Sequence, residues 1–227
     1  METYLGEKQQ ASQWSPYINN GGSCLAVAGD DFAVIASDTR MSLGYSIKTR
    51  YSTKYLKITE KCSIVSSGMQ ADIFTLHKVL KSRAQIYEQK HGKPMSTDAV
   101  AKLVSRLLYY RRFFPYYTFN IVAGIDDEGV GCVFSYDAIG TLERVKYSAS
   151  GSGSSLIEPV LDNQVALKNR NDIKKEDFKL TKEYAIDLVK DAITSAGERD
   201  IYTGDFVEIS VIDINGTHEE KFELRFD

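Results

Sequence analysis

The sequence predicts an α+β protein built as a four-layer αββα sandwich, with two β-sheets packed face to face and a pair of helices outside each. Two observations support this prediction. Predicted strands come in pairs, and these pairs alternate with pairs of predicted helices along the chain. The strands also read as nearly continuous apolar runs, such as CLAVAG at 24–29, which indicates sheets covered on their faces rather than open to water.

Each element follows from a local pattern. The first two apolar runs are joined by a short acidic turn typical of a hairpin, and the next two meet at Glu60-Lys61. Apolar residues at helical spacing predict a helix from Asp72 to about residue 91, and Ser96 or Thr97 can cap a second helix. The predicted strands are 24–29, 32–37, 55–59, 62–67, 119–125, 131–136, 206–212 and 219–225, and the later helices are 156–167 and 181–196.

Length and charge limit the class of protein. A chain of 227 residues with 43% hydrophobic content fits one domain with a sizeable core. The net charge of −3 offers no electrostatic reason to expect a nucleic-acid partner. No apolar run approaches the roughly 20 residues that a membrane-spanning helix needs, and the N-terminus lacks a signal-peptide pattern. We therefore expect neither nucleic acid nor a membrane as partner, and a location in the cytoplasm and nucleus.

Cysteine and histidine usage predicts no metal site. The three cysteines each lie inside an apolar run, at Cys24, Cys62 and Cys132. That pattern is typical of buried thiols in a reducing compartment. The three histidines are scattered and have no ligand-like spacing to the cysteines, so zinc is not expected, and no cofactor is implied.

The segment RRFFPYY at 111–117 combines basic and aromatic residues. This combination can bind single-stranded nucleic acid. In an acidic chain, the better interpretation is a helix end followed by a proline turn that packs into the core.

Five blocks in a fixed order carry a family resemblance. They are NGGSCLAVAGDDFAVIASDTR at 20–40, RRFFPYYTFNIVAG at 111–124, VFSYDAIG at 133–140, LDNQVALKN at 161–169 and ERDIYTGD at 198–205. Together they resemble the β-type subunits of the proteasome core particle, which are N-terminal-nucleophile hydrolases. The resemblance implies the fold of that family, with residues 1–20 as a flexible N-terminal leader and 21–227 as the proteasome β-type domain.

The resemblance also implies where an active site would lie. Active members attack with a threonine at the mature N-terminus, whose own amine serves as base. In this sequence Gly22 takes the nucleophile position, and Thr203 stands where active members usually carry a serine. The other matched positions are Asp38, Lys54, Gly68 in the oxyanion-hole turn, Ser152 and Asp200. Since glycine has no side chain, we expect a degenerate site with no catalytic residue.

Ser23 provides the alternative, a self-processing hydrolase. Successive side chains of a strand point to opposite faces, which directs a hydroxyl one residue along away from Lys54. An amine freed at Ser23 would also be displaced by about 3.3 Å. We therefore favour a non-catalytic subunit, in which Asp38 and Lys54 form a buried ion pair that fixes strand geometry. An independent homo-oligomer of the same fold is a weaker alternative.

Finally, the resemblance implies partners and a role in ring assembly. These partners are other α- and β-type subunits in stacked seven-membered rings, with regulatory caps as indirect partners, in ATP- and ubiquitin-dependent protein degradation. In the family, the region after the paired strands of the middle sheet completes a neighbour's specificity pocket. Asp137 is the candidate here, and a turn aspartate that bonds its own backbone is the alternative.

Overall fold

Residues 14–172 and 178–227 are described by the computed structural model. Within them the strands are β1 (Ser23–Ala28), β2 (Phe32–Asp38), β3 (Met41–Leu43), β4 (Ser46–Thr49), β5 (Tyr55–Thr59), β6 (Cys62–Gly68), β7 (Thr118–Ile125), β8 (Gly131–Tyr136), β9 (Leu142–Val145), β10 (Tyr147–Gly151), β11 (Phe206–Asp213) and β12 (Gly216–Glu223). The helices are α1 (Gln70–His91), α2 (Thr97–Tyr110), α3 (Ser154–Gln164) and α4 (Lys182–Arg199).

The predicted four-layer sandwich is confirmed. One antiparallel sheet has the order β10-β1-β2-β11-β12, and the other has the order β5-β6-β7-β8-β9. One apolar cluster lies between the two sheets, a second joins the first sheet to α3 and α4, and a third joins the second sheet to α1 and α2. Each sheet is therefore covered on both faces.

The continuous apolar runs have a direct structural cause. Leu25 and Val27 of β1 pack towards α3 and α4, whereas Cys24 and Ala26 face the other sheet. Because both faces of the strand meet apolar partners, an alternating polar pattern is not needed.

Several element boundaries differ from the predictions. Helix α1 begins at Gln70, and α2 is capped by Ser96, whose Oγ accepts a hydrogen bond from the Ala99 amide at 3.3 Å. Helix α3 ends at Gln164, ahead of Leu167, whose φ of 52° is incompatible with a right-handed helix. The β3–β4 hairpin and strands β9 and β10 were not predicted, since they are short and carry many polar or small residues.

The prediction that the turn after α2 packs into the core is wrong for Phe113 and Phe114, whereas Tyr116 does pack against the core. Phe113 is 98% exposed and Phe114 is 59% exposed. After Tyr110 the chain makes one more tight turn, in which the Phe114 amide bonds the Arg111 carbonyl, and this turn carries the rings outward. In the described part of the chain, no helix is long and apolar enough to cross a membrane.

Candidate active site

The predicted lysine and aspartate form a buried ion pair. Asp38 ends β2 and Lys54 directly precedes β5, and Lys54 Nζ lies 3.0 Å from Asp38 Oδ1. The two side chains are 0% and 1% exposed. Lys54 Nζ also donates to the carbonyl oxygens of Asp38 at 3.1 Å and Arg40 at 2.7 Å. The ammonium therefore has three acceptors that replace its lost hydration.

The Asp38 carboxylate joins separate parts of the chain. Besides Lys54, its oxygens accept hydrogen bonds from the amides of Ser23 at 2.9 Å, Arg40 at 3.2 Å and Gly204 at 3.2 Å. Burial raises the pKa of Asp38 above its ordinary value, and the Lys54 charge and these hydrogen bonds oppose that rise. Through these hydrogen bonds, the Asp38 carboxylate holds together the start of β1, the end of β2 and the loop before β11.

Gly22 lies against this ion pair with no room for a side chain. A Cβ atom at this position would stand 2.3 Å from Lys54 Cε, 2.6 Å from Lys54 Nζ and 2.7 Å from Asp38 Oδ1. The φ angle of Gly22 is +92°, a conformation that L-residues rarely adopt. With the backbone in this conformation, a side chain at residue 22 would have to displace the ends of the Lys54 and Asp38 side chains.

The three remaining polar positions form a second cluster. Ser152 Oγ and Thr203 Oγ1 each donate to Asp200 Oδ2 at 2.6 Å. The Ser152 amide donates to the Gly22 carbonyl at 3.0 Å, and Ser152 Oγ lies 3.3 Å from the same carbonyl oxygen. The fold therefore brings the predicted serine, aspartate and threonine together and links them to residue 22 through its carbonyl oxygen.

Ser23 points into this second cluster. Its Oγ is 2.6 Å from Thr203 Oγ1 and accepts a hydrogen bond from the Gly153 amide at 2.9 Å. The residue is fully buried, and its contacts lie on the strand face opposite Lys54. Only its backbone amide, which bonds Asp38, faces the ion pair.

Gly68 is the last residue of β6 and pairs with Thr118 of β7. Its φ angle is +117°, and a Cβ atom would lie 2.4 Å from the Tyr117 carbonyl oxygen. Its own carbonyl accepts a hydrogen bond from the Asn20 amide at 2.9 Å. The predicted oxyanion turn is therefore in contact with the residues that precede Gly22.

Asn20 was not among the predicted site residues, yet it is firmly held next to Gly22. Its carbonyl accepts from the Ser42 amide at 3.1 Å, its Nδ2 donates to the Ser42 carbonyl at 3.0 Å, and its Oδ1 accepts from the Gln70 amide at 2.8 Å. Tyr17 adds a hydrogen bond to the Pro115 carbonyl at 2.7 Å. From Tyr17 onwards, the predicted leader thus contacts the domain; its residues 1–13 lie outside the described residues.

A second missed feature is the ion pair of Arg40 and Asp205. Arg40 Nε is 2.9 Å from Asp205 Oδ2, and Arg40 Nη2 is 3.2 Å from Asp205 Oδ1. The side chains are 3% and 0% exposed, and Arg50 also contacts Asp205. This bidentate pair ties the residues after β2 to the loop before β11. The sequence did offer a signal for this pair, because Arg40 ends the family block at 20–40 and Asp205 ends the block at 198–205.

Comparison with known proteins gives the family. A family model described as proteasome subunit matches residues 18–212. The chain belongs to the proteasome subunit family. It is 55% identical to proteasome subunit beta type-1 of Dictyostelium discoideum, over 97% of this chain and 95% of that protein. Identity to the beta type-1 subunit of Petunia hybrida is 54%, over 97% and 99%, and to that of Drosophila melanogaster 49%, over 94% and 91%.

These comparisons confirm the resemblance that the sequence blocks indicated. Among β-type proteasome subunits, the five blocks together looked most like beta type-1, and relatives of that name match this chain over nearly its full length.

Asp137 lies just beyond β8, at the place predicted to complete a neighbouring proteasome subunit's pocket. Its Oδ1 accepts from the amides of Ile139 at 3.0 Å and Thr141 at 2.7 Å, and its Oδ2 accepts from Thr141 Oγ1 at 2.6 Å. Desolvation acts to raise the pKa of Asp137, but these hydrogen bonds outweigh it and hold the pKa below its ordinary value. The carboxylate organises its own turn and is exposed to solvent. Its role towards a neighbour stays a prediction.

Proposed function

We propose that this chain is a non-catalytic β subunit of the 20S proteasome core particle, at the sixth β position of the ring. Its partners are the other α- and β-type subunits in stacked seven-membered rings, and regulatory caps act on it indirectly. It serves ATP- and ubiquitin-dependent protein degradation in the cytoplasm and nucleus. The observation that supports the lack of activity best is that residue 22, which lies against the Asp38–Lys54 pair, is a glycine and offers no attacking group.

The segment before Gly22 supports the same proposal. Active members of the family need a free amine at the nucleophile position. Here Asn20 is hydrogen-bonded to Gly68, Ser42 and Gln70, which holds the segment before Gly22 against this position. We propose that this segment stays in place and keeps a substrate backbone away from the degenerate site.

Exposed aromatic residues support a role in assembly. Phe113 is 98% exposed, Tyr45 is 94% exposed and Tyr110 is 86% exposed. Large aromatic side chains are enriched at protein–protein interfaces, and each of these three is almost fully exposed in the single chain. Contact with neighbouring subunits in the particle would cover these aromatic side chains, which face solvent in the single chain.

The direct test of inactivity uses electrophilic inhibitors. We expect that epoxyketone- or boronate-type inhibitors directed at threonine will form no adduct with this chain in the purified particle, because residue 22 offers no oxygen to trap. Intact-mass analysis of every subunit measures this result, with the active subunits of the same particle as positive control. An adduct mapped to residue 22 or 23 would refute the proposal.

Processing of the leader gives a second test, which also separates the proposal from the Ser23 alternative. Without a nucleophile at residue 22 the chain cannot cut itself, so shortening must come from an active neighbour, and part of the segment before Gly22 should persist. We expect N-terminal sequencing of the chain to find a start upstream of Gly22. The start should move further upstream when all active neighbours are inhibited. A chain that begins at Ser23 would instead favour the self-processing hydrolase.

Asp137 gives a third test, since we propose that its turn completes a neighbour's substrate pocket. Asp137→Asn should weaken cleavage of substrates with a basic or hydrogen-bonding group at one subsite, by on the order of 1–3 kcal/mol for a partly desolvated charged contact. Peptide series assayed with the assembled particle measure this effect, and it should be confined to one of the particle's activities. Unchanged cleavage profiles in a normally assembled particle would mean that Asp137 only stabilises its own turn.

A further inference from the structure

Positive charge is concentrated on the layer formed by α1 and α2. Residues 70–112, from the start of α1 to the turn after α2, contain nine lysines and arginines and three acidic residues, whereas the whole chain has 28 basic and 31 acidic residues. The rest of the protein is therefore strongly acidic, and this one outer layer is basic. Such segregation of charge favours association with a partner of opposite sign at this face.

A groove with an apolar floor runs along this layer. It has a volume of about 480 Å³, and its floor includes Val79 of α1 and Leu103 and Leu107 of α2. Three arginines line the same groove, Arg83, Arg106 and Arg111. The groove thus offers apolar contacts below and guanidinium groups around them.

The three arginines have no anionic partner of their own. In the described ranges 14–172 and 178–227, none of them forms a salt bridge or a side-chain hydrogen bond, whereas five other arginines do pair with carboxylates. Arg111 is held in place by stacking, with its guanidinium carbon 5.0 Å from the centre of the Tyr116 ring. This contact orders the side chain and leaves its donors free.

We propose that this groove, the α1–α2 groove, binds an acidic segment of a neighbouring subunit of the particle. An apolar side chain of that segment fills the floor, and flanking carboxylates pair with the guanidinium groups. Arginine suits this role because its planar fork binds a carboxylate through two parallel hydrogen bonds. The inference rests on the proposed function, since it takes the partner from the same particle.

Charge reversal in the groove tests the proposal. We expect the double variant Arg106→Glu/Arg111→Glu to enter assembled particles about tenfold less than the unaltered chain, because carboxylates would then face carboxylates. The matched control is Lys90→Glu/Lys102→Glu, which makes the same charge change on the same layer outside the groove and should assemble normally. Equal incorporation of the two double variants would overturn the proposal.

A crosslinking experiment keeps the proposal testable if the charge variants fail to fold. Benzoylphenylalanine in place of Tyr110, an exposed aromatic residue of the groove, is expected to crosslink in the purified particle to an acidic peptide of a different subunit. A crosslink to nucleic acid, to a peptide without acidic residues, or to nothing would refute the proposed occupant while leaving the chain a subunit of the particle. Absence of the chain from the particle would refute the proposed function as well.

Discussion

Gly22→Ala is expected to lower the free energy of unfolding of this chain by about 3 kcal/mol, since it adds strain at a positive φ angle and overpacks a buried site. The new Cβ atom would meet Lys54 and Asp38 at distances well below van der Waals contact. Because the neighbours are a buried ammonium and a buried carboxylate, they cannot move aside without losing their hydrogen bonds. Urea denaturation, or hydrogen exchange of β1 within the particle, measures the loss.

Gly44→Ala is the matched control for this prediction. Gly44 also has a positive φ angle, +57°, but a Cβ atom there meets nothing within 4 Å. The difference between the two variants isolates the contact with Lys54 from the cost of the backbone conformation. If Gly22→Ala destabilises the chain no more than Gly44→Ala, the space at residue 22 is not filled as described.

Lys54 and Asp38 would also crowd a larger side chain at this position. We therefore expect that Gly22→Thr will not bind a threonine-directed inhibitor.

Asp205→Ala should destabilise the chain by about 3–5 kcal/mol, because it leaves the Arg40 charge buried without its partner. Asp205 is fully buried, and Arg40 is 3% exposed. The loss should appear as a lower denaturant midpoint, together with faster hydrogen exchange in the loop that carries Thr203.

The exposed carboxylate of Asp227 is the control for Asp205. It lies 3.9 Å from Arg40 and is 54% exposed, so Asp227→Ala should cost less than about 1 kcal/mol. Adding Arg40→Met to Asp205→Ala should recover part of the stability, since the unpaired charge is then removed. Similar losses for Asp205→Ala and Asp227→Ala would show that burial of the pair does not matter.

The sequence by itself determined the layers of the fold and the family. Strands such as β1 and β2 are apolar on both faces because each sheet lies between two apolar cores. Each strand therefore appears in the sequence as a continuous apolar run, which can be recognised without coordinates. The absence of a hydroxyl at position 22 is likewise a property of the residue itself. Helix α2 could be predicted from its stripe and its Ser96 cap, since both signals are local.

The tertiary structure alone decided how the site is filled. The pair of Arg40 and Asp205 joins residues 165 positions apart, and Ser23 meets Thr203 across 180 positions. No local pattern states which partner a buried polar group will find, because that depends on where the sheets place it. The same limit explains Asn20, which looked like part of a leader and is held by three neighbours, and Phe113, whose apolar ring faces solvent. That Gly22 lies directly against Lys54 follows only from the packing of the two strand ends.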